Sequence, residues 1–172
     1  MASDFIDQHA AHEKVLYERT MASLKNREHT SQMLYPPILL SLSMQEEQLL
    51  KTYMEYFTRV GFVIEPFGGK EYAVTSVPGN LYNLNSQELM TEMLDSLGGL
   101  KGSETPELIL EKIASLSCKA AVKGNQKLSS QEIKHLIDEL LTLENPYHCP
   151  HGRPTIISMS KYELEKKFKR VV

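Results

Sequence analysis

The residues able to do chemistry gather near the two ends of the chain. Close to the start, Asp7-Gln8-His9-Ala10-Ala11-His12-Glu13 sets a carboxylate, an imidazole and a second carboxylate at a useful spacing. In a helix, His9 and Glu13 stand one turn apart on the same face, and Asp7 at the helix start can turn its carboxylate toward them. Three such donors suit a metal cation. Each also has an ordinary explanation, since Asp at a helix start commonly caps a backbone N–H and a single His or Glu on a helix is commonly just solvated.

Toward the other end, Cys149-Pro150-His151-Gly152-Arg153-Pro154 holds a thiol and an imidazole two residues apart in a loop stiffened by proline. Cys118 is the only other cysteine. Taken singly, a free cysteine is usually a small core residue. Taken together, Asp7, His9, Glu13, Cys118, Cys149 and His151 are the ligand types that suit zinc and related cations. Six donors exceed one tetrahedral shell. That excess points to a pair of metals, or to one tight site and a looser second, with carboxylates shared. Two neighbouring cations are the usual apparatus for in-line attack by activated water on a phosphodiester.

The elements that must position these groups are legible in outline. Phe5-Ile6 reads as the end of a strand, and the acidic stretch opens a helix carrying Val15, Leu16 and Met21 that stops near Lys25. Gln32-Met33-Leu34-Tyr35-Pro36-Pro37 should be extended, because proline removes backbone donors and disfavours helix at the preceding residue. A strand over Ile38 to Leu42 follows. Ser43 with Glu46 is a capping box opening a helix with Leu49, Leu50, Tyr53, Phe57 and Val60 on its buried side and Gly61 as C-terminal cap. Phe62 to Phe67 and Glu71 to Val77 read as a hairpin about Gly68-Gly69. Ser86 caps a helix holding Leu89, Met90, Met93, Leu94 and Leu97, and Gly98, Gly99 and Gly102 then form a break. Thr105-Pro106 starts the helix that carries Cys118 and runs to Gly124. Ser129 with Glu132 and Ser160 with Glu163 are two more capping boxes. The first opens a helix with Ile133, Leu136, Ile137, Leu140 and Leu141 on one face. A turn-rich loop over His148 to Pro154 and a strand over Thr155 to Ser158 lead to the second, whose helix bears Tyr162, Leu164, Phe168 and Val171.

Composition narrows the classes. At 172 residues the chain holds one domain or two small lobes, and 41% hydrophobic with 24% charged residues is ordinary for a globular protein. A formal net charge of −3 argues against strong sequence-independent DNA binding by this chain alone, because phosphate neutralisation needs a surplus of Lys and Arg. Two cysteines are too few for a secreted disulfide scaffold of this length, so a reducing, cytoplasmic setting is expected. No apolar run has the length of a membrane span or the form of an export signal.

Asp7-Gln8-His9-Ala10-x-x-Glu13-x-x-x-x-Glu18 resembles the endonuclease motif of the C-terminal domain family of MutL mismatch repair proteins, in the lineages that nick DNA themselves. Ser117-Cys118-Lys119-Ala120-Ala121-Val122-Lys123, Cys149-Pro150-His151-Gly152-Arg153-Pro154 and Phe168-Lys169-Arg170 resemble its three further motifs, in the right order. The resemblance spans almost the whole chain. It implies a latent hydrolase, a DNA endonuclease regulated by zinc and supported by manganese, that nicks one strand of the duplex and needs no nucleotide in this domain. By the same resemblance Asp7, His9, Glu13, Cys118, Cys149 and His151 are the metal-site set, Asp7, His9 and Glu13 being catalytic with Asp7 the essential ligand, and Glu13 bridges or completes a zinc site with Cys149 and His151. Glu18, Lys119, Arg153 and Arg170 become supporting or phosphate-facing candidates.

The family implies an α/β (α+β) fold of two lobes. A dimerisation lobe, 1–37 with 115–172, carries a short sheet covered by helices, and a smaller external helix-rich lobe with a β-hairpin, 38–114, is inserted into it. Gln32, Met33, Leu34, Tyr35, Pro36 and Pro37 are similar to the segment that binds the replicative sliding clamp, with Leu34 as the anchor in a groove. Tyr35 and Pro36 depart from the aliphatic residues expected there. The implied partners are double-stranded DNA, the clamp, the mismatch-recognition protein MutS, a MutL N-terminal ATPase domain and a second copy of the chain, in a bacterial, nucleoid-associated cytoplasmic setting. The resemblance also places roughly twenty further sheet residues ahead of the Asp-Gln-His motif, a length in keeping with ordinary strands. The other reading is a non-catalytic, zinc-stabilised dimerisation and partner-docking module. A thiol redox protein fits poorly, because the two cysteines lack the close spacing that lowers a thiol pKa.

Overall fold

The computed structural model describes residues 2–26, 30–79, 86–100, 104–124 and 127–170. Its elements run β1 (Ala2–Ile6), α1 (Gln8–Asn26), β2 (Ser31–Ser41), α2 (Met44–Val60), β3 (Val63–Gly68), β4 (Glu71–Pro78), α3 (Ser86–Gly98), α4 (Pro106–Gly124), α5 (Ser130–Leu140), β5 (Ile156–Ser160) and α6 (Lys161–Lys167). The fold is mixed α/β with small antiparallel sheets, as the sequence leads one to expect.

Local chemistry explains where the helices begin and end. The Ser43 hydroxyl accepts the Glu46 N–H at 3.2 Å while the Glu46 carboxylate accepts the Ser43 N–H at 2.7 Å. Ser129 with Glu132 and Ser160 with Glu163 form the same reciprocal pair, so two otherwise orphaned donors are satisfied at each of three helix starts. Helix α2 stops at Gly61, whose φ of 112° is open to glycine and strained for other residues. The Leu108 N–H reaches the Thr105 hydroxyl at 3.4 Å at the start of α4.

The chain divides into two compact units, Met1–Glu18 with Lys127–Val172 and Arg19–Gln126. In the second, inserted unit, β2, β4 and β3 form an antiparallel sheet in that order. Ile38, Val74 and Ile64 share a register row and enter one apolar core with Leu50 and Phe57 of α2, Met90 and Leu94 of α3 and Ile113 of α4. Phe57 and Phe62 meet edge to face at 5.6 Å between ring centres. In the first, terminal unit, β1 pairs antiparallel with β5, from Ala2 opposite Ser160 to Ile6 opposite Ile156. Its core is small: Ala11 and Val15 of α1 against Leu136 and Leu140 of α5.

The inserted unit is the larger of the two, and its limits fall at 18/19 and 126/127 rather than 37/38 and 114/115. The reason is hydrogen bonding and packing. Strand β2 pairs with β4 from Ser31 to Ser41 across a bulge between Met33 and Ile38, which makes Gln32–Pro37 part of the inserted sheet. Leu116, Ala120 and Ala121 of α4 pack against the same core. Gly102, Val171 and the Ser86 side chain lie outside the described residues.

Candidate metal centre

The site lies in the terminal unit, at the start of α1. Asp7 is the N-cap of that helix: its Oδ1 accepts the Ala10 N–H at 3.0 Å and its carbonyl accepts the Ala11 N–H at 2.9 Å. Capping fixes the first turn, and two turns on, Glu13 falls on the buried side with Ala10 and Ala11. Glu13 is 1% exposed, an expensive place for a carboxylate without compensation.

Opposite Glu13 is the loop between α5 and β5. The Cys149 N–H donates to the Arg153 carbonyl and the Gly152 N–H donates to the Cys149 carbonyl, each at 2.9 Å. His148 and Pro154 bridge across the loop's base. This tight turn, with Gly152 at φ 77°, presents the Cys149 thiol and the His151 ring toward Glu13. One donor atom from each of Glu13, Cys149 and His151 lies within 4.8 Å of the others. His151 Nδ1 stands directly against Glu13 Oε1. That oxygen is buried and receives no hydrogen bond among the described residues.

A buried carboxylate oxygen, an imidazole nitrogen and a thiol sulfur gathered this closely are a donor set that could hold a divalent cation. Carboxylate, thiolate and imidazole are all zinc ligands, and three protein ligands leave a fourth position open. The residues present fit a zinc ion, and charge neutralisation by that ion would offset the burial of Glu13.

The structure brings together three of the six sequence candidates. Asp7 and His9 are exposed and stand outside the three-donor group. Asp7 follows the cap reading, because its nearest obligation is the orphaned N–H of the first turn. Cys118 belongs to the inserted unit, where its buried sulfur contacts the Thr20 hydroxyl at 3.5 Å.

Among the supporting candidates, Glu18 forms an ion pair with Lys14 one turn back on α1, which occupies the carboxylate. Lys14 is itself 8% exposed, a buried cation that sequence reasoning passed over. The signal was the i, i+4 spacing from Lys14 to Glu18. Lys119 lies 3.9 Å from Glu92 in the inserted unit. Arg153 contributes its carbonyl to the loop, and Arg170 is exposed with its N–H on the Glu165 carbonyl at 2.9 Å.

In Gln32–Pro37 the expected anchor is displaced. Leu34 packs against the inserted unit's own core, whereas Met33 is 81% and Tyr35 100% exposed. Alternation along a strand sends neighbours to opposite faces, so Leu34 and its flanking residues cannot all be outward.

Comparison with known proteins identifies the family. The sequence profile of the MutL C terminal dimerisation domain matches residues 5–128. A DNA mismatch repair protein MutL from Agathobacter rectalis is 59% identical over 97% of this chain and 26% of its own length. Those from Clostridium botulinum and Clostridium perfringens are each 43% identical over 96% of this chain and 25% of theirs. The chain thus spans about a quarter of the length of the curated relatives it matches. Over that span, profile and relatives coincide, and the chain belongs to the MutL C-terminal dimerisation domain family.

Proposed function

We propose that this chain is the metal-dependent DNA endonuclease part of a mismatch repair MutL protein, nicking one strand of duplex DNA. The observation that carries the reading is the convergence of Glu13, Cys149 and His151 around a carboxylate oxygen with no hydrogen bond. In this reading those three residues hold a regulatory zinc ion, and the exposed Asp7 and His9 at the start of the helix that bears Glu13 serve a second, manganese ion. Bound cations would supply Lewis-acid polarisation of a phosphodiester and activation of water. The chain's own part is to hold the donors in place: the Asp7 cap orients the first turn of α1, and the Cys149–Arg153 turn fixes the thiol and imidazole.

The same reading assigns the remaining partners. Met33 and Tyr35, exposed on β2, offer the apolar contacts for a sliding clamp. A second copy of the chain, MutS and a MutL N-terminal ATPase domain complete the assembly. With a net charge of −3, DNA affinity of the isolated chain is weak and falls with salt.

The test is conversion of supercoiled plasmid to open circle at low ionic strength with added manganese. Asp7→Asn should abolish nicking while the helix start stays intact, because Asn is as good a cap as Asp. Undiminished nicking by Asp7→Asn would overturn the proposal.

A second reading, a non-catalytic zinc-stabilised dimerisation and docking module, is favoured by one observation: Asp7 Oδ1 is taken by the Ala10 N–H. Metal analysis separates the two. One zinc per chain with no manganese-stimulated nicking supports the module, and a second exchangeable site with nicking supports the enzyme.

A further inference from the structure

Thr155 lies where the elements of the metal centre meet, and it is 1% exposed. Its carbonyl accepts the Asp7 N–H at 2.9 Å, just before α1 begins. Its own N–H donates to the Tyr147 carbonyl at 2.9 Å, and its hydroxyl donates to the Pro146 carbonyl. Tyr147 enters the loop that holds Cys149 and His151, and Thr155 leaves it. One residue therefore closes the base of the thiol-imidazole loop on itself and ties that base to the start of the helix bearing Glu13. The two backbone links are available to any residue but proline. The link to Pro146 needs a side-chain hydroxyl.

We propose that Thr155 is a positioning residue for the Glu13–Cys149–His151 centre, its hydroxyl locking the loop base so that thiol and imidazole face the helix carboxylate at bonding distance of one ion. This rests on the metal reading of that site. Metal-ligand loops are held by outer hydrogen bonds of this kind, and their loss typically lowers metal affinity about 10–100-fold.

The test uses cobalt(II) as a spectroscopic stand-in for zinc on the whole chain. A thiolate-to-cobalt band in the wild type that disappears in Cys149→Ser establishes the metal reading independently, and its absence from the wild type sinks that reading. Given the band, Thr155→Val, which keeps the shape and deletes the donor, should bind cobalt about 10–100-fold more weakly, with a weakened tetrahedral d–d spectrum. Thr155→Ser, which keeps the hydroxyl, should return to within about threefold of the wild type, the rescue expected if the donor rather than the methyl is what matters. Unchanged affinity and spectrum in folded Thr155→Val, or equal damage in both variants, overturns the inference. Should Thr155→Val not fold, the wild type supplies the answer by linkage: zinc should slow hydrogen exchange at the Asp7 and Thr155 amides more than at the Leu141 amide capping α5, and equal slowing at all three overturns it.

Discussion

Each of the two units is stabilised internally by different physics. The inserted unit closes on one continuous apolar core, with Phe57, Leu50, Met90, Met93, Leu94 and Ile113 removed from water. The terminal unit has a core of Ala11, Val15, Leu136 and Leu140, and it buries polar groups beside them: Glu13, Lys14 and Thr155. Hydrophobic burial stabilises in proportion to apolar area, so the inserted unit has ample driving force. The terminal unit resembles the small scaffolds whose cores rarely supply more than about 3–5 kcal/mol and that use a metal or a partner as a staple. The lesson is that the unit holding the candidate metal centre is the one with the smaller apolar core.

That contrast can be broken experimentally. The largest effect should come from removing metal. A strong chelator, or Cys149→Ser, should strip hydrogen-exchange protection from the amides of β1, β5 and the 149–155 loop, because metal-binding free energy is folding free energy in such sites. Retained protection there would show that the terminal unit needs no staple. Next is Phe57→Ala, which leaves a cavity at a fully buried ring and should cost about 3–5 kcal/mol, read by denaturant unfolding with exchange at α2 amides. Ser43→Ala removes one capping box and should cost about 1 kcal/mol, confined to the inserted unit.

A smaller effect, of opposite sign, is expected at Lys169. It adopts φ 56° just past α6, and the hydrogen bonds from Lys169 N–H to Lys166 and from Arg170 N–H to Glu165 are those of a helix end that favours glycine. Lys169→Gly should therefore stabilise α6 by about 1 kcal/mol, seen as slower exchange of the Arg170 amide. The smallest effect is that of pH. Hydrogen bonds from Ser43, Ser129 and Ser160 hold Glu46, Glu132 and Glu163 below the ordinary glutamate value of 4.5. A depressed folded pKa gives stability that is present above that value and lost as pH falls through the lower folded one. Acid titration of helix content should show the loss below about pH 4.5, reduced in Ser→Ala cap variants.

Much of the fold was legible residue by residue. The three Ser–Glu boxes, the Gly61 stop and the Gly68-Gly69 hairpin depend on neighbours within a few positions, and the structure has each of them. The loop holding Cys149 and His151 and the helix holding Glu13 were likewise foreseeable as elements. The unit limits were not, because strand pairing of β2 with β4 joins Ser31 to Pro78 across the chain. Nor was the link of Thr155 to Asp7, which joins residues almost a hundred and fifty positions apart that only the folded chain brings near.

By itself the sequence determined the donor types, the helix starts and the family, since those reside in local spacing and in motif order. Tertiary structure alone decided which donors meet. It put Glu13 against Cys149 and His151, left Asp7 as a cap and kept Cys118 in the inserted unit. Coordination needs atoms within a few ångströms of one point, and for residues more than a hundred positions apart that distance is set by packing and backbone closure rather than by spacing along the chain.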